Sequence, residues 1–235
     1  MRTKGVPLSK WNLSINYGIK TGCNEAFIIS TEKKDELISA DPKSAEIIRP
    51  ILRGRDIKRY TYSFDNLWLI ATFPSRHYDI EEYPAVKNHL LSYGIERLEQ
   101  TGNKYFTDGL EIKARKKTNN KWYETQDSIS YWNEFYKQKI VYREISDAMD
   151  ACLVEADYML NNKCYLITGE HLIYILSFLN SKLFSKIVLS KANATGGKGE
   201  GFLNEIVTIQ NDKNLYTCTK EILKYRTAGL RMKKV

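Results

Sequence analysis

The groups in this chain best placed to do chemistry are cations set beside glycine and aromatic rings. From Arg49 to Arg59 it reads Arg-Pro-Ile-Leu-Arg-Gly-Arg-Asp-Ile-Lys-Arg, five positive charges against the one carboxylate of Asp56, and Tyr60 and Tyr62 follow. A guanidinium fork matches the acceptor pair on a guanine edge and also grips phosphate. Gly54 lets backbone come close to such a ligand. The competing interpretation is a solvated turn in which Asp56 pairs with a neighbouring Arg. A second cluster, Lys113, Arg115, Lys116 and Lys117, precedes Trp122 and Tyr123 and suits phosphate contact or a plain solvated loop. Lys224, Arg226, Arg231, Lys233 and Lys234 fit a disordered tail equally well.

Catalytic groupings are missing from this pattern. No Gly-x-x-x-x-Gly-Lys-Ser/Thr phosphate loop is present. Gly196, Gly197, Gly199 and Gly201 follow a helical segment instead of opening one. They suggest a flexible connection, or a loop between Lys191 and Lys198 that lets backbone approach DNA. His77, His89 and His171 lack the Cys or carboxylate spacing of a metal site, and no nucleophilic triad has a local signature. Asp108 with Glu111-Ile112-Lys113 is similar to the carboxylate–lysine end of a metal-dependent nuclease, without the strand context that such a site requires. No catalytic and no metal-binding residue is expected.

Composition favours a polyanionic partner. The 235 residues carry a net charge of +8, with a pI near 9.1, and 12% are aromatic, including 16 Tyr. Nucleic acid comes first among such partners and an anionic membrane surface second; Tyr both hydrogen-bonds phosphate and stacks on bases. Cys23, Cys152, Cys164 and Cys218 are scattered, which fits reduced cysteines in a cytoplasmic protein. Arg2, Lys4 and Lys10 are not followed by an apolar signal region. The apolar stretch 172–189 is interrupted by Ser177, Asn180, Ser181, Lys182, Ser185 and Lys186, so no membrane span is expected.

The elements that must position these groups follow from apolar spacing. Short apolar runs predict strands at 26–29, 67–71, 139–145, 163–167 and 205–209. Val86, Leu90, Leu91, Ile95 and Leu98 after Pro84 predict a helix over 84–98. Leu172, Leu176, Leu179, Leu183 and Ile187 predict the strongest helix, over 170–189, with Thr168 as its cap, and a last helical segment lies near 219–231. Residues 101–121 and 191–201 are predicted as loops. Because helices and strands do not alternate strictly, the fold class is α+β.

The order of segments resembles the TaqI-like C-terminal specificity domain, the target-recognition part of adenine-specific DNA methyltransferases and of fused restriction-methyltransferase enzymes. Pro-Leu-Ser-Lys-Trp (7–11) and Gly-Ile-Lys-Thr-Gly-Cys-Asn-Glu-Ala-Phe-Ile-Ile (18–29) resemble its opening, and Ile48 to Ile57 its second signature. Tyr83 to Lys87, Lys121 to Glu124, Lys139 to Tyr142 with Ile145-Ser146, and Leu179 to Leu183 continue the series. Ile206 to Ile209 stands where the family has Leu-Pro-Ile-Pro, and the methyltransferase Asn-Pro-Pro-Tyr motif is absent.

The resemblance implies a β-rich recognition lobe, taken as 1–168, and a helical hairpin with a C-terminal segment, taken as 169–235. It implies double-stranded DNA and a methyltransferase catalytic domain or subunit as partners. It implies no cofactor in this chain, S-adenosylmethionine belonging to the absent methyltransferase part. DNA contact is expected from Lys20, Thr21, Asn24, Arg53, Arg55, Lys58, Arg59, Arg115 and Lys116, with Arg53 or Arg55 foremost. Thr21 and Asn24 fit a purely structural role in the Gly18–Gly22 turn as well. Two rival functions are a nuclease built on Asp108, Glu111 and Lys113, and a protein-interaction module that docks helix 170–189 on a methyltransferase or nuclease subunit.

Overall fold

In the computed structural model, which describes residues 6–7, 11–107, 109–143, 150–184 and 208–209, the apolar runs of the sequence build two four-stranded sheets. In chain order the main elements are β1 (Leu13–Tyr17), α1 (Asn24–Phe27), β2 (Ile28–Ser30), α2 (Thr31–Ala40), β3 (Ile48–Leu52), β4 (Leu67–Ile70), α3 (Pro84–Leu91) and α4 (Ile95–Leu98). There follow β5 (Lys104–Thr107), β6 (Leu110–Lys113), β7 (Lys139–Arg143), β8 (Ala151–Val154), β9 (Met159–Leu160), β10 (Cys164–Gly169) and α5 (Leu172–Leu179). The fold is α+β.

The first sheet has the order β8-β7-β10-β1 and is antiparallel throughout, with Val141 opposite both Cys152 and Leu166. Side chains alternate across a strand, and both faces of this sheet are covered. Val141, Cys152, Val154 and Leu166 enter the larger core, whereas Ile140, Tyr142, Ala151 and Ile167 meet Ile175, Leu176 and Leu179 of α5 in a second core. The second sheet has the order β9-β3-β4-β2, and its only parallel pair joins β9 to β3. Its strands, with α1 to α4, enclose the larger core around Phe27, Leu52, Leu69 and Leu90.

The structure departs from the sequence expectations at five places. Ala26 and Phe27 close one turn of helix, so the strand predicted at 26–29 begins at Ile28. The helix predicted over 84–98 is two, because the chain leaves helical geometry after Leu91 and Gly94 takes a φ of 86°. Residues 104–113, predicted as loop, form an antiparallel hairpin. The helix predicted over 170–189 stops at Asn180, and a new turn starts at Lys182. Thr168 does not cap it: that residue is buried in β10 and its hydroxyl donates to the Glu134 carboxylate, while His171 with a φ of 56° precedes α5. Of the strand predicted at 205–209, Thr208–Ile209 pairs with Val6–Pro7, and 205–207 lie outside the described residues, as do 191–201 and 219–231. Among the described residues no helix is long and apolar enough to cross a membrane.

Candidate nucleic-acid interface

A single segment, 159–164, joins the two glycine-containing motifs. Gly18 donates its N–H to the Cys164 carbonyl at 2.8 Å and Ile19 to that of Leu160 at 2.7 Å, while Asn161 donates to Leu52 at 3.0 Å. The approach is so close that a Cβ on Gly18 would stand 2.0 Å from the Asn161 oxygen. Gly54 in turn lies against Lys163, whose Cβ would stand 3.2 Å from a Cβ added at Gly54. Lys163 is exposed, and it is a cation that motif reading passed over; its only sequence signal is the Asn161-Asn162-Lys163 turn.

In the first motif the local hydrogen bonds are structural. Thr21 is buried; its hydroxyl donates to Asn24 Oδ1 at 2.7 Å and accepts the Cys23 N–H at 3.2 Å. Asn24 itself is exposed at the first position of α1. Lys20 is exposed, and its carbonyl accepts the N–H groups of Gln126 and Asp127 at 3.0 and 3.3 Å. Burial raises the Asp127 carboxyl pKa, and the Lys20 backbone N–H and the charges of Lys20 and Lys116 oppose that shift. Lys20 and Lys116, distant in the chain, thus both act electrostatically on Asp127.

The second motif divides its cations between two jobs. Arg53 is held: Nε and Nη2 donate to the two Asp56 oxygens at 3.1 and 3.0 Å, the Arg53 N–H donates to Oδ2 at 2.8 Å, and Asp65 accepts a further bond from Nη2. Asp56 is only 4% exposed, so the pair is largely withdrawn from water, and the Asp56 hydrogen bond is the main cause of the raised Arg53 pKa. Arg59 stacks over Tyr60 at 5.2 Å and donates to the Asn180 carbonyl at 2.7 Å. Arg55 and Lys58 face solvent on the turn and on the short ladder of Ile57–Lys58 with Thr61–Tyr62.

Arg115 is the largest surprise in the set. It is 4% exposed and donates to four carbonyls: Leu98 at 2.7 Å, Thr21 at 2.8 Å, Glu124 at 2.7 Å and Trp122 at 2.5 Å. Burial pushes its pKa down to about 10, and the carbonyl dipoles around it favour the charged form at neutral pH. A buried guanidinium with a carbonyl partner on each of its three nitrogens is not presented to a solvent-side ligand. It ties the Gly18–Asn24 turn to residues 98–124.

Of the nuclease grouping the described residues hold Glu111 and Lys113, which do not by themselves make a metal site. Glu111 accepts from Lys104 across the hairpin at 3.0 Å, Lys113 is exposed, and Asp108 lies outside the described residues. Nor do three His, Cys, Asp or Glu side chains gather as metal ligands among the described residues. The apolar face of α5 is covered by the chain's own first sheet, so Ile175, Leu176 and Leu179 are not offered to a docking partner.

Residues 49–204 match the TaqI-like C-terminal specificity domain. The chain belongs to this family. The matched region contains the Arg53–Asp56 turn, the 104–113 hairpin, Arg115 and the 159–164 segment, while the Gly18–Asn24 turn lies ahead of it. No match among curated proteins is found for this specificity domain. Among solved structures it is similar to the Type IIL restriction-modification enzyme MmeI, in a complex with DNA, at 19% identity and a TM-score of 0.46. That similarity covers 74% of this chain and 21% of the enzyme. It is similar also to the type IIG restriction endonuclease BpuSI at 13% identity and a TM-score of 0.48, over 94% of this chain and 26% of that one. The specificity domain thus spans 21% and 26% of the lengths of these two enzymes.

Proposed function

We propose that this specificity domain reads target sequence in double-stranded DNA and holds the DNA for adenine methylation by a catalytic domain or subunit outside this chain, which carries S-adenosylmethionine. Family membership supports the specificity role. The observation that carries the choice of surface is the 159–164 segment, which fastens the Gly18–Asn24 turn and the basic turn at 53–59 to one scaffold. On this reading Lys20, Lys116 and Lys163 contact phosphates and set register, and Arg55, Lys58 and Asn24 are the groups available to base edges or phosphate. Arg59 contributes charge from its place on the Asn180 carbonyl. Arg53, Thr21 and Arg115 position these groups without touching DNA. The protein acts in the cytoplasm, in keeping with Cys23, Cys152 and Cys164, which are buried free thiols.

The test is a binding titration of the purified chain against random duplexes at low and moderate salt, with enrichment of the bound sequences. Sequence-enriched, salt-sensitive binding is expected. Replacing both Arg55 and Lys58 by Ala should lower the steepness of the salt dependence by about one to two, since each phosphate contact contributes about 0.9 to it. An unchanged affinity and slope in the folded double variant would remove these residues from the interface.

A further inference from the structure

The hairpin of β5 and β6 carries the two most exposed large apolar side chains among the described residues, Phe106 and Leu110. Its register pairs Lys104 with Lys113, Tyr105 with Ile112, Phe106 with Glu111 and Thr107 with Leu110. At the base, Ala114 donates to the Asn103 carbonyl at 2.9 Å, Gly102 to that of Arg115 at 2.9 Å, and Arg115 to that of Glu99 at 3.0 Å. Tyr105 turns toward the body and donates its hydroxyl to Glu99 at 2.7 Å. The opposite face therefore points outward and bears Lys104, Phe106, Glu111 and Lys113. Phe106 is 75% exposed on that face, whereas Leu110, on the Tyr105 face by the register but beside the turn at the tip, is 70% exposed.

Two large apolar side chains this exposed near one hairpin tip are suited to contact with a ligand that the hairpin enters tip first, and the surrounding charge selects its nature. Lys104 and Lys113 flank Phe106 on the outward face, Lys116 and Lys117 follow the hairpin, and the only carboxylate on that face, Glu111, is paired with Lys104. A two-stranded ribbon fits a major groove about 12 Å wide but not a minor groove about 6 Å wide, and the major groove displays thymine methyl groups that apolar side chains recognise. The anchor is continuous with the proposed interface, because the Arg115 guanidinium at the hairpin's base also holds the Thr21 carbonyl.

We infer that the 104–113 hairpin enters the major groove of DNA, where Phe106 and Leu110 contact thymine C5-methyl groups and Lys104 and Lys113 face the flanking phosphates. This inference rests on the DNA-reading function proposed above and names a part of the base pair that is read.

The experiment uses the full chain and the duplexes enriched from a random pool, each prepared also with deoxyuridine in place of individual thymidines. Loss of one contacted methyl should weaken wild-type binding about fourfold, from about 0.8 kcal/mol per buried carbon. Phe106→Ala and Leu110→Ala should each weaken binding to the thymine duplex by at least that factor, remain folded as judged by thermal unfolding, and lose the wild-type distinction between thymine and uracil. Selective, salt-sensitive binding that neither substitution nor uracil alters would overturn the hairpin's role and leave the DNA-reading function standing. Absence of DNA binding by the wild-type chain at either salt would overturn both.

Discussion

Arg115→Met is the substitution that most directly tests the structural account. Methionine keeps much of the apolar stem that passes Phe27, whose ring centre lies 5.1 Å from the guanidinium carbon, but it has no donors. Four carbonyls, of Leu98, Thr21, Glu124 and Trp122, then lose their partner in a site that is 4% exposed. At about 1 kcal/mol net for each lost hydrogen bond, the expected loss is roughly 3–5 kcal/mol, after relief of the cost of burying a charge. That is a large fraction of a typical stability of about 5–15 kcal/mol. Arg115→Lys should fall between the two, near 2 kcal/mol, because one ammonium has three donors at a single point and cannot span four carbonyls. Urea unfolding followed by tryptophan fluorescence measures both variants, and Trp122 reports from beside the site. A loss below about 1 kcal/mol for the Met variant, or a Lys variant as stable as wild type, would refute the assignment of Arg115 to the fold.

Two further predictions concern other buried positions. Gly18→Ala places a Cβ 2.0 Å from the Asn161 oxygen and should destabilise by more than about 3 kcal/mol. In contrast, Gly109→Ala meets nothing within 4 Å and bears only the strain of its φ of 78°, roughly 1–2 kcal/mol; thermal unfolding of the two side by side checks the contrast, and equal losses would contradict it. Lys139, buried and donating to the carbonyls of Phe135, Lys137 and Glu155, has its pKa lowered by burial from 10.5 to about 8. Between those values the unfolded chain binds more protons, so stability should rise with pH through that window, by at most about 1.4 kcal/mol per pH unit. Burial raises the Cys152 and Cys164 thiols to about 12, which acts in the opposite sense. The difference between wild type and Lys139→Met removes that background, and a difference that stays flat or falls from pH 8 to 10 would count against the buried ammonium.

The sequence was most legible where one local signal decided the structure. The runs 67–71, 139–145 and 163–167 read as strands because they are short, β-prone and lie between turn residues, and Leu67–Ile70, Lys139–Arg143 and Cys164–Gly169 are strands. Apolar periodicity also located α3 and α5, but it overran their ends. Asn180 stops α5 for a tertiary reason: its amide bonds the Ala151 peptide at both ends. The hairpin had a usable signal, since Asp108-Gly109 lies between β-prone flanks, but the Lys and Asn content of 101–121 outweighed it.

At the interface the same limit holds for charge. Residue type identified the 53–59 cluster, while the division between held Arg53 and solvent-facing Arg55 depends on the carboxylates of Asp56 and Asp65 folding back onto one of them. Asp56 as a partner for a neighbouring Arg was visible in sequence; Asp65 was not. No spacing rule announces that Arg115, in a run of lysines, is the cation drawn inward. That follows from four carbonyls converging from separate segments.

The Asn180 amide has a consequence beyond the helix it ends. Strand β8 is one of the two border strands of the first sheet, and a border strand offers free N–H and C=O groups to any other extended chain. At Ala151 that offer is withdrawn: the Asn180 side chain imitates a neighbouring peptide, accepting from the N–H at 3.1 Å and donating to the C=O at 2.8 Å, and the Tyr60 N–H takes the same oxygen at 2.8 Å. Along β8, strand addition by a second chain is thereby obstructed at Ala151, where the Asn180 amide already occupies the hydrogen-bonding positions that such a strand would take.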